Sequence, residues 1–279
     1  MRYFHFHEVP SHLQDNLYIL SGYRAHYNFS QCFKSIFAIH NETGNIWTHL
    51  IGALVFLVFL IVGYQNLPQH ATSLDYAMVT IFLVSAIKCL LCSTIFHTFS
   101  CHSHSSVYDI VAILDYSGIS LLILGSFVIY LNYALYCHNT LRWVYIALVT
   151  VLCLSGVVLP WFPFFRTNEF RVWRTLFFVG MGIAAGLISA HSIFLNGWTQ
   201  WSDLVPAEYL LIEIVLYLAG AYVYVVRIPE AWFPGKLDHF FHSHQVWHVM
   251  VFLAAFFHYI ASIRLMDSRL ANDTCALYN

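Results

Sequence analysis

The sequence predicts an all-α integral membrane protein, a seven-transmembrane-helix bundle, on three observations. Of the 279 residues, 59% are hydrophobic and only 9% are Asp, Glu, Lys or Arg, whereas a soluble globular domain carries about 25% charged residues. Seven stretches reach the roughly 20 mostly apolar residues that a helix needs to cross a bilayer core. The connectors between them are short and rich in Pro, Gly, Trp and Tyr, the residues of helix ends and membrane interfaces. A net charge of −2 gives no electrostatic reason to expect nucleic acid as a partner.

The first expected span, 46–64, follows "NETG" and stops at "YQNLPQ". The second, 75–97, closes on "LCSTIFHTF", with Ser93 and His97 four apart. The third, 108–131, carries Asp115 in "AILDYSGIS", an ionisable group where a charge costs about 2.5–3.5 kcal/mol on insertion scales. The fourth, 143–159, breaks at "LPWFPFFRTNEF". The fifth, 173–195, holds Gly180, Gly182 and Gly186, a small-residue run that lets helices approach closely. The sixth, 207–226, contains Glu213, and the seventh, 244–265, begins in "SHQVWH". Residues 1–45 then form an N-terminal segment, 46–265 the membrane domain and 266–279 a tail. The first 25 residues lack a long apolar core and a cleavage site, so no removable signal peptide is expected.

Seven spans put the termini on opposite sides. Arg2, Arg24, Lys34, Arg166, Arg171, Arg174, Arg227 and Lys236 flank the spans on the N-terminal side, against Arg142, Arg264 and Arg269 on the other. This asymmetry favours a cytosolic N-terminal segment and a luminal or extracellular tail. The second span then ends, and the third and seventh begin, at one leaflet.

Those three places hold the unusual polar residues. His244 and His248 are one helical turn apart and project from nearly the same face. With His97 they offer three neutral imidazoles, and three protein ligands plus an open position is the pattern of catalytic zinc. Asp115 is placed to orient or deprotonate an attacking water, or to hold a ligand. Ser93 is placed to hydrogen-bond the water or a substrate carbonyl. The alternative is structural polar packing inside the bundle.

Other candidates read more plainly. His97, Cys101, His102 and His104 in "HTFSCHSHSS" resemble a metal knuckle, but the stretch fits a short solvated loop. Cys89 and Cys92 are packing residues of the second span, and His49 and His258 fit packing or the interface. His191 fits helix packing or a cavity wall. Lys88 and Glu213 could pair across the bundle. Cys137 and Cys275 fall on one face, where a disulfide is open to them. Asn28, Asn41 and Asn272 head glycosylation sequons, of which only Asn272 would face the lumen.

The motifs "NETGNIWTHL", "STIFHTFSCHS", "LDYSGISLLILGSF", "RIPEAWFPGKLD" and "SHQVWH" occur in order, and with them the chain, from "DNLYILSGYRA" onward, resembles the progestin and adipoQ receptor family. The resemblance implies a cytosolic N-terminus and a zinc ion (Zn2+) near the cytosolic leaflet. By analogy its ligands are His97, His244 and His248, with Asp115 and Ser93 beside the water. "CFKSIF" and "FPGKLD" look like the adiponectin receptors, whereas "GYRA", "CLLCS" and "HQVWH" look as much like the Golgi-resident member that tethers Raf kinase. The short N-terminal segment favours the Golgi-like reading. Lys88 and the histidine-rich "CHSHSS" depart from the pattern.

Three functions follow. The first is a zinc hydrolase with ceramidase-like activity on a lipid amide drawn from the membrane. The second is a receptor whose bundle is biased by a protein hormone or steroid. The third is a Golgi scaffold for a cytosolic kinase, with structural zinc. Location at the Golgi or the plasma membrane, and homo-oligomer formation, both remain open to the sequence.

Overall fold

The computed structural model describes residues 1–68, 70–271 and 275. Its α-helices in chain order are α1 (Phe29–Ser35), α2 (Thr43–Val62), α3 (Ser73–Phe99), α4 (Ser105–Ala134), α5 (Asn139–Val158), α6 (Pro163–Arg166), α7 (Arg171–Asn196), α8 (Trp198–Leu204), α9 (Ala207–Val226) and α10 (Ser243–Ala271). Seven of them, α2, α3, α4, α5, α7, α9 and α10, are long and apolar enough to cross a membrane. The chain is a seven-helix integral membrane protein.

The spans differ in how much they bury. Half or more of the apolar window of α3 and α4 is buried, 56% and 50%, against 17% for α7 and 11% for α9. Thus α3 and α4 form the inner wall, while α7 and α9 present most of their surface outward. Phe56, Phe82, Leu83, Leu90, Ile129 and Leu131 are fully enclosed. Outside, Ile61, Val151, Leu187 and Phe194 stand in the open, as a belt meant for lipid requires. Lys88 is exposed on α3.

Local chemistry sets the helix ends. Thr72 and Asp75 form a reciprocal capping box at the start of α3, which satisfies two of the orphan N–H groups there. The Tyr133 hydroxyl donates to the same Asp75 at 2.8 Å, so α3 and α4 are tied at that end. Nearby, Cys137 and Cys275 are joined in a disulfide. Gly118 brings α4 against α3 further along: a Cβ there would stand 3.1 Å from Cys89 Cα. The run Gly180, Gly182 and Gly186 works differently from its expected role. A Cβ at each would meet nothing within 4 Å, so these glycines line open space rather than a helix contact.

The N-terminal segment lies across the opposite end, where α3 ends and α2, α4 and α10 begin. Phe6, Val9, Ile19, Tyr23 and Ala25 give it a small core of its own. Asn28 caps α1 through a second reciprocal box with Gln31. Buried Arg24 donates to the carbonyl of His97 at 2.6 Å and to Ser35 Oγ at 2.5 Å. Asp238 accepts from Leu20 N–H and from Ser21 Oγ, at 3.0 and 2.6 Å. Asn272 lies outside the described residues.

Candidate metal centre

Three elements build the site: the last turns of α3, the first turns of α10, and the residues around the start of α2. The start of α10 is fixed by Glu230, which is fully buried and accepts from Ser243 N–H at 2.7 Å and from Ser243 Oγ. A carboxylate at a helix N-terminus satisfies an orphan donor and meets the positive end of the helix dipole. Asn16 donates to the same carboxylate at 2.9 Å. Two residues on, the Gln245 side chain accepts from Phe241 N–H and donates to the His239 carbonyl, at 2.7 and 2.8 Å. Its amide fills the space beside Gly44, where any Cβ would collide with it.

This anchoring delivers His244 and His248 to His97. The ring centroids of the three histidines lie 4.9, 4.8 and 4.9 Å apart, each pair edge to face. One ligand nitrogen from each can be chosen so that all lie within 4.8 Å of one another. His97 and His248 are buried and His244 half-buried.

The hydrogen bonds set which nitrogen each ring presents. Glu42, just before α2, accepts from His97 Nδ1 at 2.7 Å. His97 Nε2 is then left with its lone pair, buried and, among the described residues, without a hydrogen-bond partner. Leaving a buried polar atom unsatisfied costs about 1–3 kcal/mol, so the arrangement calls for an electrophile at that nitrogen. His248 Nδ1 lies 3.1 Å from the Asn45 carbonyl, to which it donates, turning its other nitrogen inward. A carboxylate or carbonyl behind the ring is the usual support of a metal-binding histidine. The donor set fits zinc: three neutral imidazoles and a fourth direction left open.

Glu42 is itself held in place. Asn45 donates to the same carboxylate oxygen at 2.6 Å. Burial would raise the proton affinity of Glu42, but the His97 imidazole, with His244 and Asn45, holds its carboxyl well below the usual range. His49 stacks on His248 with centroids 3.6 Å apart and rings 10° from parallel. The Tyr224 ring meets His244 edge to face at 5.2 Å.

The two remaining candidates flank the cluster. Ser93 is buried one turn before His97 on α3. Asp115 stands on α4, where its carboxyl interacts with both the Ser93 hydroxyl and His97. The Gly118 contact is what lets α4 approach closely enough for this. Buried Arg174 lies over the Tyr116 ring at 4.6 Å, in the same polar belt.

All five residues expected from the sequence therefore gather in one region. Others go elsewhere. The loop expected to be solvated is partly buried instead: Cys101 faces Cys32 beneath α1, and the His102 ring packs on Phe29 at 4.2 Å. His242 lies 3.0 Å from the Asn41 carbonyl. Glu213 pairs with His258 at 2.9 Å rather than with Lys88. His191 takes the Tyr145 hydroxyl at 2.7 Å. Glu42, Asn45, Thr48 and His49 were not foreseen as supports. Their one signal is the density of polar side chains in "NETGNIWTH" at the threshold of an apolar span.

A haemolysin-III-related family model matches residues 37–259, a range that takes in Glu42 and all three histidines. The chain belongs to this family. Among members of the family, progestin and adipoQ receptor-like protein 1 of Caenorhabditis elegans is 40% identical over 272 residues, 97% of this chain and 62% of its own length. The adiponectin receptor protein of Drosophila melanogaster is 35% identical over 98% of this chain and 62% of its own. Progestin and adipoQ receptor family member 3 of Mus musculus is 32% identical over 96% of this chain and 88% of its own. The chain thus spans about three fifths of the length of the first two and most of the third. These relatives make the haemolysin-III-related chain a receptor-family membrane protein.

Proposed function

We propose that the protein binds one zinc ion through His97, His244 and His248 and hydrolyses a lipid amide of the ceramide class, coupling that chemistry to receptor signalling. The observation that carries this reading is the unpartnered His97 Nε2 facing two further imidazoles, with a carboxylate and a hydroxyl alongside. Bound there, zinc would act as a Lewis acid and bring water toward a pKa of about 7. Glu42 and the Asn45 carbonyl orient the His97 and His248 rings. Asp115 takes the proton of the attacking water and delivers it to the departing amine, with Ser93 Oγ holding the carboxyl in register. The substrate enters from the membrane, with its amide at the depth of the histidines. Seats in the Golgi and in the plasma membrane both suit such a substrate.

The test begins with elemental mass spectrometry on detergent-purified protein beside a folded His244→Ala/His248→Ala variant. About one zinc per chain, lost in the variant, is the expected result. A well-folded wild type without zinc would overturn the reading. Turnover is then assayed on a short-chain ceramide by release of fatty acid.

A second reading, a Golgi scaffold that tethers Raf kinase with zinc as a structural element, draws on another observation. Phe29, Phe33 and Phe37, in and just after α1, are 58%, 59% and 76% exposed. Four-residue spacing sets the first two on one helix face, and exposed apolar rows mark interaction surfaces. Substituting Phe33→Glu and Phe37→Glu should abolish co-purification of the kinase while zinc content stays at wild-type level. Unchanged kinase binding would remove this reading.

A further inference from the structure

Two cysteines outside the metal centre form a cluster of their own. Cys32, on α1, and Cys101, just past the end of α3, are 0% and 2% exposed, and their sulfurs lie 3.6 Å apart. Both are reduced. The backbone holds them in register. Tyr27 N–H donates to the Cys101 carbonyl at 3.1 Å, and Ser103 N–H returns a bond to the Tyr27 carbonyl at 2.9 Å. The sulfurs need to close by only about 1.5 Å to reach a disulfide bond length of about 2.05 Å.

A small cavity of about 20 Å³ lies beside one of the two cysteines. Its walls include Cys101, Arg24, Asn41 and Glu42, but not Cys32. That exceeds the roughly 10–15 Å³ that one water requires. Two of its lining residues, both buried, carry polar atoms with no partner among the described residues: the Arg24 Nε donor and the Asn41 Oδ1 acceptor. The cavity therefore suits a very small neutral molecule that both donates and accepts hydrogen bonds.

The two thiols are not equivalent. The Cys32 S–H bond, and then the Arg24 cation, draw the Cys101 thiol down against the opposing effect of burial. The same bond, followed by burial, pushes Cys32 well up. A cation beside a thiol favours its thiolate form, a second cysteine in reach can resolve a sulfenic acid, and the cavity gives a small oxidant access to this buried pair.

We propose that Cys32 and Cys101 form a peroxide-reactive dithiol, with Cys101 the attacking sulfur and Cys32 the resolving one. The Cys101 thiolate attacks hydrogen peroxide. An S–O bond forms, the O–O bond breaks, and hydroxide leaves to take up the proton released from the pair. Cys32 then attacks the Cys101 sulfenic acid, forming the S–S bond and expelling the second oxygen as water. The two sulfurs are oxidised by two electrons in all, and one peroxide is reduced to two waters. The product ties α1 to the chain four residues beyond His97. This site is independent of the zinc reading.

The test uses the full chain in detergent with its Cys137–Cys275 bond intact. The protein is exposed to equimolar hydrogen peroxide, alkylated, digested and mapped by mass spectrometry. A Cys32–Cys101 cross-linked peptide should form at least about tenfold faster than Cys89, Cys92 or Cys153 is oxidised. Cys32→Ser should instead yield a Cys101 sulfenic acid that dimedone traps, and Cys101→Ser should leave Cys32 unoxidised. Absence of the cross-link in wild type, or a Cys153 that reacts as fast, overturns the proposal whatever the variants do.

Discussion

Two histidine–carboxylate pairs sit inside this bundle and look alike up to one point. Glu42 holds His97 at 2.7 Å and Glu213 holds His258 at 2.9 Å, each through Nδ1. In both, Nε2 is buried and unpartnered. What differs is the neighbour: His97 faces His244 and His248, whereas His258 packs on the Phe82 ring at 5.0 Å. A carboxylate behind an imidazole makes a good ligand nitrogen, but a metal also needs other donors that converge on the same point. The first pair has them, because α10 starts with two histidines one turn apart. The second is a lone dyad in an apolar wall.

The sharpest way to break this contrast is to remove one ring from each pair. His97→Ala should lower zinc content from about one per chain to below about a tenth. His258→Ala should leave zinc untouched. Equal loss in both variants would show that the two pairs form one site or one folding unit. The next effect in size concerns turnover. Asp115→Asn should retain zinc and lower ceramide hydrolysis by about 10²–10⁴-fold, the usual contribution of a general base. Full activity in that variant would remove Asp115 from the chemistry.

A smaller effect separates the carboxylates. Glu42→Gln should weaken zinc binding by about 10–100-fold, measured by competition with a chelator. Glu213→Gln should not change it. The smallest effect is a pH dependence beside the first pair. His40 accepts from Glu42 N–H and donates to the Ser35 carbonyl, at 3.1 and 3.0 Å. Burial, and then Arg24, push its imidazole down from 6.5 to about 3. Between those values the unfolded chain binds a proton that the folded chain refuses. The contribution of His40 is therefore complete above about pH 6.5 and declines as pH falls toward 3, by at most about 1.4 kcal/mol per unit. His40→Gln should flatten the fall in thermal stability between pH 7.5 and 5.5. Parallel slopes in the two proteins would show that other groups carry the effect.

The spans were legible because a bilayer-length apolar run has few other uses. The expected sixth span matches α9 at both ends, and the others differ by a few residues. The largest difference is the end of α10, which runs to Ala271 rather than stopping near 265. The charges at 264 and 269 read as flanking the membrane. Arg269 is instead buried, donating to the Tyr133 carbonyl at 2.8 Å, so the helix continues with its cation inside. The histidines were legible for a related reason: titratable groups inside apolar helices are expensive and need a purpose. Glu42 escaped notice because a carboxylate at the threshold of a span is cheap there and carries no such signal. The glycines of α7 misled because small residues serve both close packing and open surface, and only the neighbours tell which.

The way α10 is fastened has a mechanical consequence. Its first turn is pinned by Glu230, and its far end by Arg269 and by the Cys137–Cys275 bond. A rod clamped at both ends behaves as a fixed post. If the proposed function holds, the route of a lipid to the histidines opens on another side. The loosest stave is α7, whose glycines face open space and whose span is only 17% buried, whereas α9 lies against the post itself through Gly220 and Trp247. On the proposed function, the post would keep the three histidines in register while α7 moves, so that admitting a lipid would leave their spacing undisturbed.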